Sequence, residues 1–337
     1  MRPFFGVELF SFCIAYLILG IACASSQSFG IIHRADPRVN QLIPPDAKLE
    51  KLAEGFEWTE GPLWLPQEKY LLFTDIPKNT IYKWKPGEGL SVYLRPAGYV
   101  GEDPPGIELG ANGLALNPEG HMVMCDHGNR CVSQLNEQNF TKKILADRYQ
   151  GKRLNSPNDL VFKSNGDLYF TDPPYGLAGQ NQDPQKELNF NGVYRLSKAG
   201  KLTLLTRELT FPNGIAFSPD EKILYVAQSD PEKAIWMAFK VLEDGTIANG
   251  KVLFDATPWV KQGKKGLPDG LCVDNAGNLY ATGPGGVIIF SPEGKHLGTI
   301  ETGEATSNCA FGDEGSMLYL TADMYLCRIA LSTKGKM

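Results

Sequence analysis

A short phrase recurs six times along the 337 residues of this chain. Each copy is a polar residue, usually followed by glycine, that opens an apolar strand-like run. The copies are Glu60-Gly61-Pro62-Leu63-Trp64, Asn112-Gly113-Leu114-Ala115-Leu116, Asn158-Asp159-Leu160-Val161-Phe162, Asn213-Gly214-Ile215-Ala216-Phe217, Asp269-Gly270-Leu271-Cys272-Val273 and Asn308-Cys309-Ala310-Phe311. They stand 52, 46, 55, 56 and 39 residues apart. A second phrase (70–75, 122–126, 168–172, 224–228, 279–283 and 318–322) ends 14 or 15 residues after each polar residue. Chance rarely holds that offset six times. Third and fourth strand-like runs complete each unit except the last, which lacks a convincing fourth. A unit of four strands and about 50 residues, repeated six times, predicts an all-β, six-bladed propeller. Residues 47–53 (AKLEKLA) can supply the missing strand, closing the ring and leaving no long open edge. The 36 glycines and 23 prolines suit many short strands joined by turns.

Propeller geometry then places the chemistry. The innermost strand of a blade lines the central channel, so the six opening residues ring one end of it. Strands alternate in direction, so each second phrase returns to that same end, bringing Asp126-His127 and 172–175 (DPPY) near the ring. The longest connectors, 96–110, 173–191 and 256–267, open on this face, as the rim of a functional site does. The ring consists of Glu60, Asn112, Asn158, Asn213, Asp269 and Asn308, all oxygen-bearing, with no lysine or arginine at an equivalent position. Buried carboxylates need a counter-charge. A hard divalent cation supplies it: carboxylate and amide oxygens suit calcium first, then magnesium or manganese, with zinc less favoured. A single Asn-Gly is more often a turn before a strand; six in register favour the cation. His127 is read as a proton shuttle or a hydrogen-bonded rim residue. Tyr175 is read as a substrate contact or as packing for the Pro-Pro turn.

Other classes of function fit poorly. With 33 basic and 38 acidic residues the net charge is −5, which argues against nucleic acid or an anionic membrane as partner. No GxSxG elbow, HExxH, P-loop or dinucleotide fingerprint is present. Residues 1–24 combine Arg2, an apolar run over 10–24 and the small residues Ala22 and Ala24, the pattern of a secretory signal peptide. A retained anchor, or a lipid on Cys23, is the alternative. No later segment is apolar enough to span a membrane. Beyond Cys13 and Cys23 five cysteines remain, an odd number with no CxxC pair, which argues against a disulfide framework or a thiolate zinc site. Cys272 and Cys309 sit in apolar runs and read as buried small hydrophobes, with one bridge left open in an oxidising compartment.

Taken together, Glu60-Gly61-Pro62, 153–159 (RLNSPND), 171–177 (TDPPYGL), 211–214 (FPNG), Pro268-Asp269-Gly270 and 308–311 (NCAF) resemble the gluconolactonase family, which includes regucalcin and luciferin-regenerating-enzyme-like proteins. The resemblance runs from about residue 45 to 333. It implies one divalent cation held by Glu60, Asn213 and Asp269, with Asn158 touching metal or substrate. It implies a metal-dependent hydrolase that opens a lactone ring with cation-activated water. Asp269 is the expected general base, with Glu60 next, and Asn112 is expected to hydrogen-bond the substrate carbonyl or ring oxygen. Asn158, His127, Tyr175 and Asn308 complete the expected substrate contacts. Regucalcin-like members hold the sugar with an arginine two residues before the Asn158 position, where this chain has Ser156, with Arg153 close by in sequence. An aryl-ester or phosphotriester hydrolase on the same metal, or a calcium-stabilised binding propeller, are the alternatives. The expected organisation is a signal peptide at 1–24, an extended segment at 25–44, the propeller at 45–333 and a tail at 334–337.

Overall fold

The first five sequence repeats each supply four strands of one antiparallel sheet and the last supplies three, and the six sheets form a six-bladed propeller. The computed structural model describes residues 29–104 and 106–335, so the expected signal peptide lies outside the described residues. The innermost strands are Thr59–Leu65, Ala111–Leu116, Leu160–Phe162, Pro212–Phe217, Leu271–Val273 and Asn308–Gly312. Each packs against the next, and the last returns to the first, so the ring is closed. The second strands, such as Tyr70–Asp75 and Leu168–Asp172, are almost wholly buried.

Six hydrophobic clusters hold the blades together, one between each neighbouring pair. Between the sixth and first blades, for instance, Trp64 stacks on Tyr319 at a ring separation of 5.5 Å. Large apolar side chains on both faces of every sheet make each blade depend on its neighbours, because one sheet alone would leave a face in water.

The last blade contains Asn308–Gly312, Met317–Ala322 and Tyr325–Ala330, and its fourth strand is Glu50–Glu54, paired antiparallel with Tyr325–Ala330. Closure by a strand from just before the first repeat is therefore observed. Two features go beyond the sequence reading. Within the segment expected to be extended, Ile31–Arg34 pairs antiparallel with His296–Glu301 and gives the fifth blade a fifth strand. A short 3-10 turn over Pro37–Gln41 follows, and Val39, Leu42 and Ile43 are buried in the cluster between blades five and six. The expected tail is pinned as far as Gly335, whose backbone N–H bonds the Gly315 carbonyl at 2.9 Å. Among the described residues no helix is long and apolar enough to cross a membrane.

Candidate metal and substrate site in the channel

The ring residues are placed by a repeated backbone device. Strand pairing shifts register between Glu60 and Leu63, between Ala111 and Leu114 and between Pro212 and Ile215, so a bulge falls on three of the Xaa-Gly motifs. A bulge re-aims side chains that a regular strand would alternate. The following glycine is required by crowding. A Cβ on Gly61, which has φ +46°, would lie 2.1 Å from the Asn112 carbonyl oxygen, and one on Gly214 would lie 2.2 Å from that of Asp269. The motif glycines thus let the backbone of one blade approach the ring residue of the next.

Threonines in the second strands latch the same backbone. The Thr171 hydroxyl donates to the Asn213 carbonyl at 2.7 Å, Thr74 to that of Asn112 at 3.2 Å, and Thr282 to that of Ser307 at 2.8 Å. Each bond runs from one blade to the ring segment of the next.

Five of the six ring residues are buried, and Asp269 is partly exposed although its carboxyl group is enclosed. Glu60 Oε2 accepts from the Gly61 N–H at 3.0 Å and from the Asn308 amide at 3.1 Å. Burial pushes the Glu60 carboxyl up to about 8, with the negative charges of Asp159 and Glu108 adding to the shift. Burial also holds Asp269 well above the usual carboxylate range, and Glu60 is its strongest charged neighbour in the same direction. Asp159 is pushed up to about 7 by burial, although the N–H groups of Leu160 and Ile215 bond its oxygens. Neither Glu60 nor Asp269 has a lysine, arginine or histidine ion-pair partner among the described residues. No group of three His, Cys, Asp or Glu side chains is assembled for a metal among those residues. The ring offers a different set, two carboxylates with amide oxygens, and its uncompensated buried charge fits a hard divalent cation.

The remaining expected residues have distinct surroundings. Asn213 donates to the Ser229 hydroxyl at 2.9 Å, and Ser229 in turn donates to the Pro268 carbonyl. This chain joins Asn213 to the segment that carries Asp269. The structure turns Asn308 inward: one end of its amide bonds Glu60 and the other accepts from the Cys309 N–H at 2.8 Å. With both ends engaged, Asn308 orients Glu60. Tyr175 stacks on Phe211 at 5.9 Å, and its buried hydroxyl lies beside the Ser229 and Asn213 side chains without a well-formed hydrogen bond to either. Burial raises this phenol, with Asp269 as the first charged contributor. Asp126 and Asp172 reach the rim as expected, but their carboxylates bond the backbone N–H groups of Asn129 and Asn155 and so hold connectors in place.

His127 is fully buried beside the ring. Its Nδ1 lies 2.7 Å from Glu108 Oε2 and its Nε2 lies 3.3 Å from Asn112 Nδ2. An amide nitrogen only donates, so the Asn112 NH2 faces the imidazole and its oxygen is the end left without a partner. Glu108 was not singled out in the sequence; the only signal was its place in the long 96–110 connector. Ser156 donates to the Pro173 carbonyl at 2.7 Å and accepts from the Gly176 N–H at 2.8 Å. The 173–177 turn fills the space beside it: a Cβ on Gly176 would lie 2.8 Å from the Ser156 Cβ. Arg153 is occupied elsewhere, donating to the Asn129 carbonyl at 3.1 Å.

The opposite end of the channel is mostly apolar. It widens into a cavity of about 350 Å³ lined by residues such as Leu63, Leu116, Phe162, Phe217 and Phe311. Cys272 and Cys309 also line it, as free thiols with their sulfurs 3.6 Å apart.

Fold and site define a six-bladed propeller with an oxygen-rich ring of carboxyl and amide groups at one mouth of its channel. The SMP-30/Gluconolactonase/LRE-like region family model matches residues 58–323, and the chain belongs to that family. A gluconolactonase of Zymomonas mobilis is 38% identical over 316 residues, covering 92% of this chain and 89% of the relative. The structure of a gluconolactonase from Xanthomonas campestris superposes with a TM-score of 0.77 at 31% identity, over 89% of this chain and 94% of that one. A calcium-binding regucalcin from Agrobacterium tumefaciens shares the fold, with a TM-score of 0.67 at 19% identity over 85% and 94% of the two chains.

Proposed function

We propose that this chain hydrolyses lactones at the channel ring with a bound divalent cation, calcium by the chemistry of its donors. The observation that carries the reading is the pair of buried carboxylates, Glu60 and Asp269, that face each other's charge with no cationic side chain to offset it. Glu60, Asn158, Asn213 and Asp269 would hold the ion. When bound, the cation would polarise the lactone carbonyl and make a nearby water more acidic.

The protein groups divide the remaining work. Asp269 is the favoured general base: burial raises the proton affinity of its carboxylate, and a bound cation would keep it ionised. Glu60, steadied by Asn308 and the Gly61 N–H, supplies the second negative charge of the site. The Tyr175 hydroxyl, which makes no well-formed hydrogen bond, is available to donate to a substrate oxygen. His127 and Asn112 form the wall on the Glu108 side. The gluconolactonase named in Zymomonas mobilis supports a sugar lactone as substrate.

The test is turnover of D-glucono-δ-lactone and other γ- and δ-lactones beside aryl esters and a phosphotriester, with calcium, magnesium, manganese or zinc supplied in turn. Preference for lactones is expected. Preference for aryl esters or phosphotriesters would move the site to the other hydrolase class. We further propose that residues 1–24 direct export; N-terminal sequencing of the secreted protein should begin near residue 25.

A further inference from the structure

Glu108, His127 and Asn112 form one hydrogen-bonded line running from the channel mouth into the ring. Glu108 is partly exposed at 28%, whereas His127 is fully buried and Asn112 nearly so at 2%. The stretch carrying Glu108 is held in place: the Tyr99 N–H bonds the Leu109 carbonyl at 2.8 Å and the Gly110 N–H bonds that of Ile76 at 3.0 Å. On the other side the His127 N–H bonds the Gly110 carbonyl at 3.2 Å. Carboxylate and imidazole therefore meet across a fixed frame.

The order of donors along this line decides what the ring presents. Glu108 accepts the Nδ1 proton, so Nε2 is left as an acceptor and takes the Asn112 NH2. The Asn112 oxygen is then committed to the ring, buried and without a partner. Without Glu108 the imidazole is free to carry its proton on Nε2, which would favour the opposite amide orientation. A buried acceptor with no donor costs roughly 1–3 kcal/mol, so the site favours a ligand that brings a proton to it. A lactone carbonyl and a ring oxygen carry no proton. A hydroxyl substituent on the lactone ring does.

We propose that Glu108 and His127 are positioning residues that hold the Asn112 amide oxygen as the acceptor for a hydroxyl of the sugar lactone. The inference rests on the lactonase reading given above. It also accounts for recognition of a polyol where Ser156 and the 173–177 turn leave no place for a charged side chain.

The experiment compares D-glucono-δ-lactone with δ-valerolactone, the same ring without hydroxyls, using the full chain loaded with its cation. In the wild type, kcat/KM should strongly favour the hydroxylated lactone. In Glu108→Ala that preference should fall about tenfold, mainly through KM for the hydroxylated substrate. Glu108→Gln should keep it to within about threefold, because the Gln oxygen still accepts the Nδ1 proton. The cation-induced rise in Tm should persist in both variants. An unchanged preference in folded Glu108→Ala overturns the proposal. So does loss of cation affinity as the sole effect, which would make the Asn112 oxygen a metal ligand. Absence of turnover of both lactones in the wild type would instead reject the lactonase reading itself, and this proposal with it.

Discussion

Two carboxylates buried together are costly to the folded chain unless something positive joins them, and this opposition between stability and function is testable residue by residue. Glu60→Gln and Asp269→Asn keep shape and remove charge. Each should raise the Tm of the metal-free protein by several degrees at pH 8 while abolishing its response to calcium. Each should also lower kcat/KM for a lactone on the order of a thousandfold. Retained activity in Asp269→Ala would remove Asp269 from the mechanism. The pH dependence follows from the same groups. Glu60 titrates near 8 in the fold, against an ordinary glutamate value of 4.5, so the folded state prefers the protonated form. That contribution to stability is complete below the ordinary value and is lost as pH rises through about 8. Thermal melts of metal-free protein from pH 5 to 9 should show a falling Tm, and Glu60→Gln should flatten the fall. At this scale the sequence was readable where the repeat aligned the residues: Glu60, Asn112, Asn158, Asn213, Asp269 and Asn308 all open their strands at one mouth. What each amide does was not readable. Asn308 bonding Glu60, and Asn112 facing His127, depend on neighbours nearly 250 and 15 residues away.

At the scale of strands and turns, the Xaa-Gly motifs are legible as positions but not as a cause. A turn before a strand and a bulge under a neighbouring blade have the same local sequence. The close approach of Gly61 to the Asn112 backbone and of Gly214 to the Asp269 backbone separates them. The second-strand threonines are a similar case: a Thr-Asp pair reads as strand end, yet Thr171 Oγ1 holds the backbone of Asn213 in the next blade. Thr171→Val should destabilise the protein by about 1 kcal/mol and weaken calcium binding several-fold, since it frees the carbonyl beneath a proposed ligand. Chemical denaturation and calorimetric titration would check both. A stability loss with unchanged calcium affinity would confine the threonine to blade packing.

Across the whole molecule, the number of blades and their closure were fixed by repeat spacing and by the missing fourth strand of the last unit. The fifth strand, Ile31–Arg34, was hidden because its alternation is short and its burial slight. The two additions at the N-terminus should have unequal weight. A chain starting at residue 46 loses the fifth strand and the buried Val39, Leu42 and Ile43, and should fold with a lower Tm. A chain starting at residue 56 also loses Glu50–Glu54 and leaves the last blade open at Tyr325–Ala330. It should aggregate or associate through that edge, as gel filtration would show. The family match covers nearly the whole propeller, residues 58–323.

The most direct test of this account is D-glucono-δ-lactone turnover measured on one protein sample after exhaustive chelation and again as calcium is added back. The ring assignment predicts that turnover is lost on chelation and returns in proportion to occupancy of a single calorimetric site. Full turnover in the chelated protein, with no calcium site detected, would contradict it.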